Sequence, residues 1–152
     1  MLLRLMVLFL AIVCGCATVQ IPGYIKADHP YARKMYGNFD KIVIAARNVL
    51  VRNGWKIKTA THPSVYERME GERENTDKDL LLFTDVKEHS MVLYSSYTHL
   101  NVFIHAIAEG AQVEIRYGKV TPLLVKQVQS TSNDKLANKI LDQIEQELLE
   151  SK

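Results

Sequence analysis

The chain has 152 residues and a formal net charge of +2, with 19 basic and 17 acidic side chains. This balance excludes a polycationic nucleic-acid-binding protein, and the length is that of one small domain. Both cysteines lie before residue 17, so the folded part must depend on its hydrophobic core without an internal disulfide.

The first residues predict an export signal. Met1 to Arg4 carry one basic side chain, and Leu5 to Val13 form an uninterrupted apolar run. A membrane-spanning helix needs roughly 20 such residues, whereas the core of a signal peptide needs roughly 7 to 15. The run therefore matches a signal peptide over residues 1–15 and is too short to span a bilayer.

The residues that follow resemble the lipobox of bacterial lipoproteins. They read Val13-Cys14-Gly15-Cys16, an aliphatic residue followed after one position by a small residue and a cysteine. The resemblance implies cleavage between Gly15 and Cys16, with a diacylglyceryl thioether and an N-acyl chain on Cys16. Cleavage before Cys14 would leave bulky Val13 beside the cleaved bond, which the family does not tolerate. Because about two acyl chains give stable anchoring, we expect the mature chain to be attached to a membrane.

The residue after the lipidated cysteine bears on the membrane that is used. Ala17 is not the aspartate that commonly retains such lipoproteins at the inner membrane. The resemblance therefore favours a cell-envelope location at the periplasmic face of the outer membrane. Two alternatives are a plain secreted protein and an uncleaved anchor. A redox or metal site at the cysteine pair is disfavoured, because two cysteines without an adjacent histidine are too few ligands for a structural zinc.

Residues 16–37 are predicted to be the lipidated cysteine and a tether, and residues 38–152 a single domain. The tether range contains two prolines and two glycines and shows no sustained period: Pro22, Gly23, Pro30 and Gly37. As a flexible coil, its ends would average roughly 25 Å apart. Its three tyrosines indicate that part of it packs back on the domain or contacts a partner: Tyr24, Tyr31 and Tyr36.

Two amphipathic helices are predicted. The first, within "NFDKIVIAARNVLVRNG", begins at the capping residue Asn38 and ends at Asn53-Gly54, after which Trp55 is expected to fold back on the helix end. The second runs from Lys135 to Leu149 after the capping sequence "STSND". Each helix carries apolar residues at helical spacing on one side only.

The intervening sequence predicts antiparallel strands. These are "WKIKTA", Leu80 to Val86, Met91 to Tyr97, Leu100 to Ala108 and Ala111 to Val120, with "LLVKQV" a possible continuation. In the last long strand, Val113, Ile115 and Tyr117 alternate with Gln112, Glu114 and Arg116, which predicts one dry face and one wet face. The expected fold class is α+β, a two-layer antiparallel sheet of about 4–6 strands with both helices on one face.

At this point the chain resembles a family. The stretches "FDKIVIAARNVLVRNGWKI", "HLNVFIHAIAEGAQVEIRYGKV" and "ILDQIEQELL" are similar to small bacterial lipoproteins with a helix-grip, TBP-like domain. The C lipoprotein of the outer-membrane β-barrel assembly machine contains domains of that kind. The resemblance covers about residues 38–150 and implies a helix-grip-like arrangement of helices on a sheet.

The segment from Thr61 to Asp79 is highly charged and predicts a long loop, with a possible short strand near Ser64 to Arg68. It is either a solvated loop or a surface that docks a protein partner. The candidate docking residues are Glu67, Arg68, Glu70, Glu72, Arg73 and Glu74.

Catalytic and metal-binding patterns are not recognised in the sequence. His99 and His105 face the same side of a strand but lie about 20 Å apart by strand rise, which is too far for one metal. No serine lies in a nucleophile elbow, and the glycines are isolated. We therefore expect that the protein is not an enzyme and that it carries no metal and no cofactor other than the lipid on Cys16. The aromatic residues Tyr94, Tyr97 and Phe103 are expected in the core or, alternatively, in a groove for an apolar ligand.

The sequence thus predicts a membrane-anchored periplasmic protein that acts by binding, as an accessory subunit of an envelope assembly or transport complex. The alternative is a carrier of a lipid or another apolar ligand between helix and sheet. The partners expected are the membrane, through the lipid anchor, and an envelope protein complex, without nucleic acid or metal.

Overall fold

A computed structural model describes residues 19–27, 30–67, 78–91, 94–123 and 127–150. These residues form a seven-stranded antiparallel sheet and two α-helices, which confirms the predicted α+β class. The sheet has more strands than expected, because two short strands pair only with the far ends of the two longest ones.

The strands are β1 (Tyr31–Tyr36), β2 (Ile57–Thr61), β3 (Leu80–Thr84), β4 (Lys87–Ser90), β5 (Ser95–Ile107), β6 (Gly110–Pro122) and β7 (Gln127–Ser130). Their order in the sheet is β1-β6-β5-β3-β2, with β4 also paired to β5 and β7 to β6. The β5–β6 hairpin is the centre of the sheet, since each of its outer edges is long enough to pair with two shorter strands.

The helices are α1 (Phe39–Arg52) and α2 (Asp134–Glu150), and a short 3-10 helix covers Pro63–Val65. The Asn38 side chain accepts hydrogen bonds from the first turn of α1, and Asn133 accepts one from the Leu136 amide of α2. Trp55 is buried, and its amide donates to the Leu50 carbonyl at 2.8 Å. The predicted helix caps and the sealing role of Trp55 are confirmed.

The main hydrophobic core lies between the two helices and one face of the sheet. Even-numbered residues of β5 and odd-numbered residues of β6 face the helices, as the period of two requires. The fully buried side chains of this core include Ile42, Leu50, Leu82, Leu100, Ile104, Ile115, Ile140 and Ile144.

The structure differs from the predicted strands in three places. The two strands expected at Met91 to Tyr97 and Leu100 to Ala108 are replaced by the single strand β5, which begins at Ser95. Strand β4, "KEHS", was not predicted, because it has no apolar residue to mark it. The short strand expected near Ser64 to Arg68 is absent from its described part, where Pro63 starts a 3-10 helix instead.

Part of the range predicted to be a tether belongs to the sheet. Strand β1 pairs with β6 along its whole length, from Tyr31 opposite Ile115 to Tyr36 opposite Gly110. Met35 of this strand is buried in the main core, which the aromatic and apolar residues of "YARKMY" make possible. The sheet therefore begins at Tyr31, inside the range 16–37.

Candidate functional site

The sheet face opposite the helices was predicted to be wet, and this prediction is wrong at its centre. Phe103, Glu114 and Arg116 lie on that face and are all buried. They are covered by two segments from elsewhere in the chain, residues 22–26 and residues 66–67. Alternation along one strand reports which residues share a face, but it does not report what later covers that face.

Residues 22–26, here called the strap, are bound to the sheet through Asn101. The Ile25 amide donates to Asn101 Oδ1 at 2.6 Å, and Asn101 Nδ2 donates to the Gly23 carbonyl at 3.1 Å. The Ile25 side chain is buried. One amide side chain in the middle of an apolar strand therefore satisfies a backbone donor and a backbone acceptor of the strap.

Arg116 is the centre of a buried charged cluster beneath the strap. Its guanidinium donates to Glu114 Oε1 at 2.5 Å, to Glu67 Oε1 at 2.7 Å and to the Tyr24 hydroxyl oxygen at 2.7 Å. It also lies 3.9 Å from the centre of the Phe103 ring. The Tyr24 hydroxyl in turn donates to Glu67. Five side chains from four parts of the chain are thereby joined.

Their mutual contacts keep Arg116 and Glu67 charged at neutral pH. Burial acts to lower the pKa of Arg116, but hydrogen bonds and charge from Glu67 and Glu114 raise it overall. Burial acts to raise the pKa of Glu67, and hydrogen bonds from Tyr24 and Arg116 outweigh it and lower that pKa. Burial and the hydrogen bond to Glu67 raise the pKa of Tyr24 to about 12. The paired charges compensate one another for the loss of water.

Aromatic rings also pack over this face of the sheet. Tyr66 stacks on Tyr24 with ring centres 5.2 Å apart and lies 5.1 Å from the ring of Phe83. Of the three tyrosines in the tether range, Tyr24 packs back on the domain and Tyr31 lies in β1, whereas Tyr36 is 65% exposed.

His99 lies on the same face, next to the strap and opposite Gly118. Neither ring nitrogen makes a hydrogen bond of normal geometry, and burial lowers the pKa of the ring against a smaller opposing effect of the Pro22 carbonyl. A cavity of about 250 Å³ adjoins it, lined in part by Pro22, Ile25 and Val120. His99 is therefore neutral in the folded protein at neutral pH.

This burial predicts a loss of stability in mild acid. The folded-state pKa of His99 lies below its unfolded value of about 6.5, so below that pH the unfolded chain binds a proton more readily than the folded protein. The stability contributed by neutral, buried His99 is therefore complete above that pH and is lost as the pH falls below it. We expect the urea midpoint to fall between pH 7.5 and 5.5, and to fall less in His99→Gln. His89→Gln, at an exposed position, is the matched control, and an unchanged pH dependence in His99→Gln would contradict the assignment.

The helix-covered face of the sheet carries a second feature, an open cleft of about 470 Å³. It lies beyond the end of the main core and is lined by Asn53 and Trp55 after α1, by the start of α2 and by strands β4 to β6. We call it the basic cleft, because its lining includes Lys87, Lys119, Lys139 and His89. Lys87 lies 3.7 Å from the centre of the Trp55 ring and donates to the Asn53 carbonyl at 3.0 Å.

The predicted docking residues separate into two groups. Glu67 is among the residues that the structure describes. Its carboxylate accepts hydrogen bonds from Arg116 and Tyr24 and is therefore not free for a partner. The other five docking residues lie outside the described residues: Arg68, Glu70, Glu72, Arg73 and Glu74. The predicted cleavage, lipidation and sorting positions also lie outside them: Gly15, Cys16 and Ala17.

The three aromatic residues expected in the core or in one groove are not brought together. Phe103 is buried beneath the strap, Tyr97 lies on the same face as Phe103 near Glu88, and Tyr94 lines the basic cleft on the other face. His99 and His105 do share a face, and His105 pairs with Asp79 at 3.2 Å. Within the described ranges, no three histidine, cysteine, aspartate or glutamate side chains are placed to hold a metal ion.

Sequence reasoning missed the Arg116 cluster and the basic cleft. A signal for the first was present in Asn101, a polar residue in the apolar run "LNVFI", and in the tyrosines of polar segments. The cleft has no local signal, since its lysines come from three separate segments.

No protein-family model and no curated protein sequence matches this chain. Among the residues that the structure describes, no helix is both long enough and apolar enough to cross a bilayer. The fold and the two sites together define an α+β domain with a strapped sheet face and an open basic cleft.

Proposed function

We propose that this chain is a lipid-anchored protein of the bacterial cell envelope whose domain acts by binding, as an accessory subunit of an envelope assembly or transport complex. The lipobox-like sequence at Val13 to Cys16 supports the anchor. The structural observation that supports the proposal is the attachment of the strap to the sheet. This attachment begins at Gly23, whose carbonyl accepts a hydrogen bond from Asn101.

The strap limits how far the domain could move from a membrane. Fully extended, the residues from Cys16 to Gly23 span at most about 25 Å, whereas a free tether over all of 16–37 would reach about 70 Å. An acylated Cys16 would therefore hold this domain near the bilayer surface. That position suits a subunit that meets its partners at the membrane.

The charged segment remains the proposed docking surface. It is attached on both sides to the strapped face, since Glu67 pairs with Arg116, and Asp79 pairs with His105 and accepts from the Ala106 amide at 3.0 Å. The segment and the strap thus depart from the same face of the sheet.

The anchor is tested by metabolic labelling with palmitate. We expect Cys16→Ser to abolish labelling completely, because the thioether-forming sulfur is lost, and Cys14→Ser to leave it intact. Labelling of the Cys16→Ser protein would contradict the assignment.

The accessory role is tested by cross-linking in intact cells, followed by mass spectrometry of tagged full-length protein. We expect a small set of envelope proteins that is lost in Cys16→Ser and reduced by Glu70→Lys with Glu72→Lys. The same charge changes at the exposed Glu88 and Glu109 are the control. Unchanged partners after the reversals at Glu70 and Glu72 would count against this surface.

The second candidate function is that of a ligand carrier. The space first expected for a ligand, between helix and sheet, is filled by side chains such as Ile42, Leu100 and Ile140 that have no exposed surface. The basic cleft is the observation that favours a bound ligand, and it lies at the end of this core rather than inside it. A protein that is anchored but captures no specific partner would favour the carrier.

A further inference from the structure

The helix-covered face of the sheet changes character where the helices end. Along β5, the side chains on this face run from Ile104, Val102 and Leu100 to Thr98 and Ser96. Along β6, they run from Ile115 and Tyr117 to Lys119. The apolar part is the floor of the main core, and the polar part is the floor of the basic cleft.

The lysines of the cleft have no carboxylate opposite them in its described lining. Among the described residues that line it, none is an aspartate or a glutamate, and none of the three lysines takes part in an ion pair there. The acidic residues of α2 make their contacts elsewhere. Asp142 and Glu145 pair with Arg33, and Glu147 pairs with Arg52. Asp134 accepts a hydrogen bond from the Tyr31 hydroxyl, and Glu150 accepts one from Gln146. Burial lowers the pKa of Lys87 with no opposing effect from a carboxylate.

Part of the lining of the same cleft is apolar. Trp55 and Tyr117 are both buried, and Leu136 lies beside them in the lining. Met91 and Tyr94 also line the cleft and are 63% and 45% exposed. Asn133 and the first turn of α2 are also part of the lining. The volume of the cleft lies in the range of small-molecule pockets.

We propose that the basic cleft binds an anionic amphiphile, a molecule with a phosphate or carboxylate head group and an apolar chain. Lys87, Lys119 and Lys139 hold the head group, and Trp55, Tyr117 and Leu136 contact the chain. This inference rests on the proposed function only in that the domain acts by binding near a membrane, where such molecules are found.

The chain supplies its own reporter, because Trp55 is its single tryptophan and lines the cleft. The experiment uses the full-length protein in vesicles of neutral phosphatidylcholine, which add no tryptophan. The sample is titrated with octyl phosphate while Trp55 fluorescence is recorded and binding heat is measured. Inorganic phosphate and octyl glucoside are titrated in parallel. They separate the head group from the chain.

We expect a saturable response to octyl phosphate. Octyl glucoside lacks the anionic head group and inorganic phosphate lacks the apolar chain, so we expect each to bind with at least about tenfold lower affinity than octyl phosphate. Lys119→Gln with Lys139→Gln should weaken octyl phosphate binding about tenfold through loss of two charge-assisted contacts. Lys34→Gln with Lys58→Gln removes the same charge at exposed positions outside the cleft and should leave binding unchanged.

Four results would overturn the inference. Equal binding of inorganic phosphate would assign a simple anion site, and equal binding of octyl glucoside would show that the lysines do not select the ligand. The third is the lack of both a fluorescence change and binding heat. The fourth is an equal loss of octyl phosphate binding in the two lysine double variants. None of these results affects the anchor or the partner surface, which palmitate labelling and cross-linking test separately.

Discussion

Replacing Arg116 with methionine is expected to lower the free energy of unfolding by about 3–5 kcal/mol, the usual cost of breaking a buried ion pair from one side. The substitution leaves the Glu114 carboxylate buried without its partner and removes the donor that Glu67 and Tyr24 share. Urea unfolding followed by circular dichroism measures the loss.

Arg33→Met is the matched control for this prediction. Arg33 also pairs with two carboxylates, Asp142 and Glu145, but both of these are largely exposed. We expect a loss of at most about 1 kcal/mol there, because water screens and replaces exposed pairs. Adding Glu114→Gln to Arg116→Met should recover part of the stability, since it removes the uncompensated charge. Equal losses in Arg116→Met and Arg33→Met would show that the cluster does not hold the sheet face together.

Replacing Gly110 with alanine is expected to lower the free energy of unfolding by about 2–4 kcal/mol, in the range of severe steric substitutions. A Cβ atom at this position would overlap the Met35 carbonyl oxygen and lie 3.0 Å from the Tyr36 Cα atom. Both of these are backbone atoms of β1, so the β1–β6 pair would have to separate. Urea unfolding again gives the measurement.

Gly37→Ala is the control for the effect of backbone angle alone. Gly37 has a φ of +137°, but a Cβ atom there would meet no other atom within 4 Å. The expected cost is the strain of a side chain at that angle, about 1–3 kcal/mol and at the lower end because the site is open. A larger loss for Gly37→Ala than for Gly110→Ala would contradict the close approach of β1 to β6.

The two faces of the sheet are stabilised by different interactions. The part of the helix-covered face that lies beneath the two helices is apolar and buried, whereas the opposite face combines Phe103 and its neighbours with an Arg116–Glu114–Glu67 ion cluster. Burial of ions is favourable only when each is paired, so this second face depends on geometry more than the first does. That is why the substitutions at Arg116 are expected to have large effects.

The elements that the sequence predicted well are those with local signals. Helix α1 begins after Asn38 and ends before Asn53-Gly54, because the capping side chain and the apolar period are both encoded within a few residues. Helix α2 and the β5–β6 hairpin were found for the same reason. Strand β4 was missed, since "KEHS" is a strand only because the edge of β5 is available to pair with it.

The sequence by itself determined the α+β class, the two helices, the main hydrophobic core and the expectation of a lipid anchor at Cys16. Only the tertiary structure decided that the opposite sheet face is covered, that Glu67 points inward to Arg116 and that three lysines share one cleft. Helices and alternating strands follow from interactions between near neighbours, which a period in the sequence records. The strap, the ion cluster and the cleft join residues far apart in the chain, so their contacts arise only when the sheet brings those segments together.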